Sequence, residues 1–265
     1  MPIVQANGAQ LYFETMGTGR RLLLFNGTGS SIESTRPLLT MLAKDFELAV
    51  HDQRGLGQSS VPPGPFTMQD YALDGAALLD HLGWDTARVM GISFGGMVAQ
   101  ELAVTFPDRV DRLALLCTSP GGRDRSSFPL QDLARLPDDE RIVATLEVLD
   151  ARFTGDWLAN HPTDQAIVAA MAERAAAVKD DEHRRGEREQ LGARSHHDVW
   201  SRLPRITCPT FVAAGRFDGI APPENSEAIV SQIPTAELHL YEGGHLFILQ
   251  DPAAFAEITA FLDVS

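Results

Sequence analysis

Residues 91–96 read Gly91-Ile92-Ser93-Phe94-Gly95-Gly96, and this stretch decides the fold. It matches the pattern G-x-S-x-G, follows an apolar run at 87–92 and leads into a helical pattern at 95–106. A serine in such a strand-to-helix junction occupies a sharp, strained turn that raises its hydroxyl above the sheet. The stretch therefore predicts a nucleophile elbow with Ser93 as the catalytic nucleophile.

Short apolar runs and amphipathic segments alternate on both sides of this turn. The apolar runs suit strands buried on both faces and occupy 21–25, 46–51, 87–92, 111–117, 209–214 and 236–241. The helical patterns that separate or follow them occupy 33–44, 69–82, 95–106, 223–232 and 252–262. This alternation predicts an α/β fold with a mostly parallel, eight-stranded sheet covered by helices on both faces.

The first residues follow a different pattern. Asn7-Gly8 is a strong hairpin-turn signal, and it lies between strand-like segments at 3–5 and 10–13. We expect an antiparallel hairpin at the N-terminus, on the edge of the sheet.

A long helical interruption separates the run at 111–117 from the run at 209–214. These roughly 90 residues show helical patterns without strand patterns. We therefore predict a helical cap at 121–202, inserted into a core domain formed by 1–120 and 203–265. We expect the charged stretch at 179–189 within the cap to be a solvated helix face.

Two further candidate catalytic residues follow strand-like runs. Asp218 comes after the run at 209–214, and His245 follows Gly243-Gly244 after the run at 236–241. A serine hydroxyl needs a base to take its proton, and the base needs a carboxylate to fix its orientation. Because the carboxyl ends of parallel strands meet at one edge of the sheet, we expect Ser93, His245 and Asp218 to form a triad there. Asp124, after the preceding strand, is the alternative acid.

Two backbone amides are candidates for an oxyanion hole. The amide of Phe94 follows the nucleophile at a helix N-terminus. The second donor is expected in the turn Asn26-Gly27-Thr28-Gly29, where Thr28 is the first choice and Gly27 the next.

A substrate pocket is expected between the triad and the cap. Its candidate lining residues are Gly27, Met97, Trp157, Trp200, Leu246 and Phe247.

One further stretch carries a resemblance to a known family. Residues 51–59, His51-Asp52-Gln53-Arg54-Gly55-Leu56-Gly57-Gln58-Ser59, resemble the D-x-R-G-x-G-x-S loop of the α/β-hydrolase superfamily, in which Arg54 is expected to be structural. With the elbow and the loops of the acid and histidine, the whole chain resembles this superfamily. The chain departs from it at Asn26-Gly27, where the family usually has His-Gly. A backbone amide does not depend on this side chain, so the resemblance still implies an oxyanion hole.

Within the superfamily, the chain looks most like the 3-oxoadipate enol-lactonases. Serine at the elbow argues against the dehalogenase and epoxide hydrolase branches, which carry a carboxylate nucleophile. A lactonase acting on a dicarboxylate would use cations in the cap. The candidates are Arg123, Arg125, Arg152, Arg194, His196 and His197.

These residues predict a serine hydrolase that cleaves a carboxylic ester or lactone through an acyl-enzyme. The triad requires neither a metal nor an organic cofactor. The same groups also suit a C–C bond hydrolase, a perhydrolase or a slow-turnover ligand sensor, and these alternatives stay open.

Composition limits the partners. The 265 residues are 44% hydrophobic and 22% charged, with a net charge of −14, which argues against nucleic acid and anionic membranes. No apolar run approaches the roughly 18 residues of a membrane span, and the first residues show no secretory signal. We expect a cytoplasmic monomer or homodimer with a small-molecule ester or lactone as its substrate.

Overall fold

A sheet of eight strands organises the computed structural model, which describes residues 2–133, 135–175 and 180–264. The strands are β1 Ile3–Ala6, β2 Ala9–Met16, β3 Arg20–Phe25, β4 Phe46–His51, β5 Ala87–Ile92, β6 Val110–Leu116, β7 Thr210–Gly215 and β8 Ala236–Tyr241. Their order across the sheet is β1-β2-β4-β3-β5-β6-β7-β8. The pairs from β4 to β8 are parallel, whereas β1 and β2 pair antiparallel with each other and β2 pairs antiparallel with β4. The predicted eight-stranded α/β fold with an N-terminal hairpin is confirmed.

The hairpin turn has the backbone that its two residues favour. Asn7 has φ 41° and Gly8 has φ 78°. Positive φ at both central residues characterises the turn that matches the right-handed twist of paired strands. The turn therefore sets the register of β1 against β2.

Helices cover both faces of this sheet. Outside the cap they are α1 Ile32–Leu42, α2 Met68–His81, α3 Phe94–Thr105, α9 Pro223–Gln232, α10 Phe247–Gln250 and α11 Pro252–Asp263. Both α1 and α2 begin with a capping box, formed by Ser31 with Ser34 and by Thr67 with Asp70.

Strand β3 shows how the core is divided between the two faces. Leu23 and Phe25 belong to the apolar cluster that includes residues of α2, α3 and α9. Leu22 and Leu24 belong to the cluster that includes residues of α1 and α11. All four side chains are fully buried, so the continuous apolar run reflects a strand covered on both sides.

The described residues between β6 and β7 are mainly helical. The helices are α4 Leu130–Leu133, α5 Asp138–Leu149, α6 Gly155–Asn160, α7 Pro162–Ala175 and α8 Asp181–Ser195, followed by a 3-10 helix at Trp200–Arg205. Residues 134 and 176–179 of the predicted cap lie outside the described residues. Residues 121–202 are called the cap below. The division into a core domain and a cap domain stays a prediction.

The expectation of a solvated charged stretch is wrong for one side of α8. Gly186 is buried against Gly55, and a methyl group at Gly186 would overlap the Gly55 carbonyl oxygen. Arg185 donates hydrogen bonds to the carbonyl oxygens of Val61 and Pro62 at 2.6 and 2.8 Å. A glycine inside the charged run allows this side of the helix to pack against the core.

Candidate active site

Ser93 forms the turn between β5 and α3 with a strained backbone. Its φ is 55° and its ψ is −115°, a conformation that non-glycine residues rarely adopt. The Ser93 amide donates to the Leu116 carbonyl at 2.8 Å, and the Thr118 hydroxyl donates to the Ser93 carbonyl at 2.8 Å. Strand β6 and the residues after it therefore hold the serine in place.

Two glycines allow the close approach that this turn requires. A methyl group at Gly91 would overlap the carbonyl oxygen of Gly95, and one at Gly95 would overlap the carbonyl oxygen of Phe25. The glycines of the G-x-S-x-G pattern thus bring β5 and α3 together around Ser93.

A hydrogen-bonded chain joins Ser93, His245 and Asp218. The distance from Ser93 Oγ to His245 Nε2 is 2.9 Å, and that from His245 Nδ1 to Asp218 Oδ2 is 2.8 Å. The contacts favour the tautomer in which Nδ1–H donates to the carboxylate and Nε2 accepts from the serine hydroxyl. This arrangement allows the imidazole to remove the hydroxyl proton of Ser93.

The Asp218 carboxylate is held on both oxygens. Its Oδ1 accepts from the amides of Ile220 and Ala221 at 2.8 and 2.9 Å, while Oδ2 accepts from His245. The side chain of Asp218 is fully buried, and that of His245 is 10% exposed. Asp124, the alternative acid, is exposed on the loop after β6. Asp218 is thus the carboxylate that contacts the histidine.

The predicted oxyanion turn lies beside the nucleophile. A Cβ placed on Gly27 would be 3.7 Å from the Cβ of Ser93. The side-chain atoms of Asn26 and the hydroxyl of Thr28 are buried without a hydrogen-bond partner in the described part of the chain. Phe94 is the first residue of α3, so its amide has no acceptor within the helix. The turn and the Phe94 amide flank Ser93, as an oxyanion hole requires.

Two glutamines missed by the sequence analysis connect α8 to this turn. Gln53 Nε2 donates to the Asn26 carbonyl at 2.9 Å, and Gln190 Nε2 donates to Gln53 Oε1 at 2.8 Å. Gln190 Oε1 in turn accepts from the Gly29 amide at 2.8 Å. Both glutamines are buried, and together they hold the backbone on either side of Gly27 and Thr28. The sequence offers one weak signal for each glutamine: Gln53 lies in the family loop at 51–59, and Gln190 is an uncharged residue in a highly charged helix.

The structure has two cavities, and Ser93, Asp218 and His245 are not among the lining residues of either. A polar cavity of about 210 Å³ is lined by residues that include Met97, Ser119, Gln131, Arg194 and His197. A more open apolar hollow is lined by residues that include Pro162, Ile167, Met171, Leu246 and Leu249. Of the predicted pocket residues, Met97 lines the first and Leu246 lines the second.

Four of the predicted pocket residues line neither cavity: Gly27 lies in the turn beside Ser93, and the other three pack elsewhere. Phe247 is 1% exposed and stacks on Tyr241 in the core, with ring centroids 5.3 Å apart. Trp157 packs in the small apolar cluster of the cap, and its Nε1 donates to Asp164 at 2.7 Å. Trp200 packs against the main core beneath the guanidinium of Arg125, which lies 3.8 Å from its ring. The apolar character that suggested a pocket reflects packing for these three residues.

The predicted cap cations occupy different environments. Arg152 forms a bidentate contact with Asp150 at 2.9 and 2.7 Å and stacks over Trp157. Arg123 and His196 are exposed. Arg194 and His197 are buried and line the polar cavity.

Two features are absent from residues 2–133, 135–175 and 180–264. These residues contain no group of three or more His, Cys, Asp or Glu side chains that could hold a metal ion. None of their helices combines the length and apolar character needed to cross a membrane.

The sequence family follows from a match over most of the chain. A model of the family described as alpha/beta hydrolase fold matches residues 20–252. The chain belongs to the α/β-hydrolase fold family. Its resemblance to enol-lactonases is confirmed by a relative named 3-oxoadipate enol-lactonase 2, from Acinetobacter baylyi, which is 26% identical over 94% of this chain and 91% of that protein.

Other relatives of this α/β-hydrolase have different names. A poly(3-hydroxyalkanoate) depolymerase of Ectopseudomonas oleovorans is 31% identical over 89% of this chain and 82% of its own length. A protein of Azorhizobium caulinodans, named provisionally as a carbamate hydrolase, is 28% identical over 97% and 96% of the two chains. The solved structure of a hydrolase from Pseudomonas aeruginosa superposes with a TM-score of 0.76 at 30% identity and covers 98% of each chain.

Proposed function

We propose that this α/β-hydrolase is a serine hydrolase that cleaves a carboxylic ester or lactone. The observation that carries the proposal is the hydrogen-bonded chain from Ser93 through His245 to Asp218, with Ser93 on a strained turn. This is the arrangement that activates a serine for attack on a carbonyl carbon.

In the acylation step, Ser93 Oγ attacks the substrate carbonyl while His245 Nε2 takes the hydroxyl proton. The Asp218 carboxylate stabilises the imidazolium that forms and keeps Nδ1 in place. The amide of Phe94 and an amide of the turn at Gly27 and Thr28 then donate to the oxyanion. His245 passes the proton to the leaving alkoxide, and an acyl-enzyme remains on Ser93.

In the deacylation step, His245 removes a proton from water, which attacks the acyl carbonyl. The same amides hold the second oxyanion, and Ser93 leaves with the proton returned by His245. An ester yields an acid and an alcohol, whereas a lactone yields one hydroxy acid.

The names of the relatives support hydrolysis of an acyl bond. One name denotes depolymerisation of a polyester and another denotes opening of an enol-lactone. The carbamate hydrolase name makes carbamate cleavage the second candidate, because a carbamate presents a similar carbonyl to the same nucleophile.

The test compares the wild-type protein with Ser93→Ala on short p-nitrophenyl esters, simple lactones and an aryl carbamate. We expect ester or lactone turnover, and a loss of about 10³-fold or more in kcat for the variant. Ser231→Ala, which removes an exposed hydroxyl from α9, is the matched control and should keep wild-type activity.

Three outcomes would contradict the proposal. An active Ser93→Ala variant would exclude Ser93 as the nucleophile. A clear preference for the carbamate would favour the second candidate. Stabilisation by esters without turnover would favour a ligand sensor.

A further inference from the structure

The polar cavity lies next to the nucleophile, between α3, the segment after β6 and the end of α8. Met97 lines it from the first turns of α3, four residues after Ser93 or about 6 Å along the helix axis. Ser119 lines it from the other side, directly after Thr118, whose hydroxyl bonds to the Ser93 carbonyl. The cavity thus borders residues that adjoin the Ser93 turn, while Ser93 itself is not among its lining residues, so a ligand held here would extend from the cavity toward the serine.

An unusual set of unpartnered polar atoms surrounds the cavity. In the part of the chain that the structure describes, the buried side-chain atoms Arg194 Nε and Nη2, Ser119 Oγ and Gln131 Oε1 make no hydrogen bond. Arg194 is 5% exposed, His197 is 4% exposed and Ser119 is fully buried. Buried polar atoms in folded proteins are nearly always hydrogen-bonded. Their concentration around one cavity indicates a binding site for a polar group.

Arg194 gives this site its charge. Burial lowers the pKa of Arg194 to about 10, so the guanidinium is still charged at neutral pH. No carboxylate in the described ranges forms an ion pair with it. Buried arginines are normally paired, because an isolated buried charge is strongly unfavourable. A group that balances this charge would be an anion.

The two unpartnered nitrogens of Arg194, Nε and Nη2, form the edge of the guanidinium that other arginines of this protein use to bind carboxylates. Arg54 donates from Nε and Nη2 to the two oxygens of Asp74 at 2.8 and 2.7 Å. Arg152 donates from the same two atoms to Asp150. The corresponding pair, Nε and Nη2, is unused in Arg194. This planar edge suits bidentate binding of a carboxylate.

Ser119 fits the same ligand, whereas Gln131 Oε1 is an acceptor and does not pair with a carboxylate. Burial lowers the pKa of His197 to about 3, with a smaller opposing contribution from a hydrogen bond with the Ser119 backbone, so its ring is neutral at neutral pH and adds no charge to the cavity. The hydroxyl of Ser119 supplies another donor. The cavity volume of about 210 Å³ equals about seven water volumes, which leaves room for a short carboxylate-bearing chain.

We propose that this cavity binds a carboxylate of the substrate through Arg194, so that the enzyme acts on anionic esters or lactones. The inference rests on the proposed hydrolase function and names its substrate class. The net charge of −14 gives the protein no general attraction for anions. The buried guanidinium of Arg194 would therefore select the anionic substrate.

The kinetic test uses two p-nitrophenyl esters with acyl chains of five carbons. The glutarate monoester carries a terminal carboxylate where the valerate ester carries a methyl group. The wild-type protein should prefer the glutarate monoester in kcat/KM, after correction for its spontaneous hydrolysis. Arg194→Met should lose about 30-fold or more on this substrate and change by less than about threefold on valerate. Arg123→Met removes an exposed cation nearby and should leave both rates unchanged.

A binding test does not depend on catalysis. Glutarate should raise the melting temperature of the Ser93→Ala protein and should not raise that of the Ser93→Ala, Arg194→Met double variant. Methionine replaces an unpaired buried charge with an apolar chain, so we expect the Arg194→Met protein to fold with at least the wild-type melting temperature.

The two tests separate this inference from the proposed function. Ser93-dependent hydrolysis without a preference for the glutarate monoester, or with the same preference in Arg194→Met, would overturn the inference and leave the hydrolase. Glutarate stabilisation that requires Arg194, in a protein that hydrolyses no ester, would support the cavity assignment and overturn the hydrolase. Equal melting temperatures with and without glutarate would show that the cavity holds only water.

Discussion

At the scale of single residues, Ser93 combines backbone strain with several fixed contacts. Its conformation costs on the order of 1–3 kcal/mol. Hydrogen bonds from its amide to Leu116, from Thr118 to its carbonyl and from the Gly96 amide to the same carbonyl oppose relaxation of the turn. The result is a hydroxyl directed at His245 before any substrate binds, which is the preorganisation expected of a nucleophile.

His51 is a buried residue with an effect on acid stability. It is 1% exposed at the end of β4, in edge-to-face contact with Phe25. Burial, with a smaller contribution from the charge of Arg54, lowers the pKa of His51 to about 4. In the unfolded chain the His51 imidazole is therefore protonated as the pH falls through about 6.5, whereas in the folded protein it is protonated only near pH 4.

We predict that this difference destabilises the protein in acid. Stability from His51 is complete above pH 6.5 and falls by about 1.4 kcal/mol per pH unit between pH 6.5 and 4. Urea unfolding at pH 7.5, 5.5 and 4.5 should show a shallower loss in His51→Leu than in the wild-type protein. His196→Gln, at an exposed position, is the control and should keep the wild-type slope. An unchanged slope in His51→Leu would refute this assignment.

At the scale of elements, α8 connects the cap to two loops of the core. Near its start, His183 Nε2 contacts the Gly57 carbonyl oxygen at 3.1 Å and Arg185 donates to Val61 and Pro62. About two turns after His183, Gln190 contacts Gln53 and Gly29 at the candidate oxyanion turn. The same helix carries Arg194 into the polar cavity. Its placement therefore bears on both the proposed catalysis and the proposed substrate selection.

We predict that Gln190 acts as a positioning residue. Gln190→Leu removes the acceptor of the Gly29 amide and the donor to Gln53, so the turn loses its support. On a neutral ester we expect kcat to fall about tenfold, with KM within about twofold, because the defect lies in oxyanion stabilisation.

The matched control is Arg185→Gln, which removes a different contact between α8 and the core. It should lower the melting temperature without lowering kcat. An equal loss of kcat in Arg185→Gln would mean that general docking of α8, rather than support of the turn by Gln190, explains the defect.

At the scale of the whole molecule, the sequence predicts most of the fold because its signals are local. Local residues alone predict three parts of the fold: the buried strand β3 from its apolar run, the hairpin turn from Asn7-Gly8, and the sharp turn at Ser93 from the glycines around it. The three residues of the candidate triad were also predictable, because each follows a strand and parallel strands place their carboxyl ends together.

The remaining parts of the site depend on long-range packing. Gln190 meets Gln53 and Gly29 across 137 and 161 residues, and no local pattern reports how α8 docks. Phe247 was wrongly predicted to line the pocket, because an aromatic residue is typical of both a protein core and a substrate pocket. Arg194 was one of six candidate cations in the sequence. Its burial and its unused edge distinguish it from the other arginines, and its charge at neutral pH distinguishes it from His197, which is also buried.

The most direct test of the account is covalent labelling of the nucleophile. A fluorophosphonate should add one phosphonyl group per chain to the wild-type protein and abolish ester hydrolysis, because it reacts with serines activated by a neighbouring base. Mass spectrometry should find the adduct on the peptide that contains Ser93 and find none in Ser93→Ala. Labelling of another serine, or an unlabelled protein that hydrolyses esters, would contradict the assignment of Ser93 as the nucleophile.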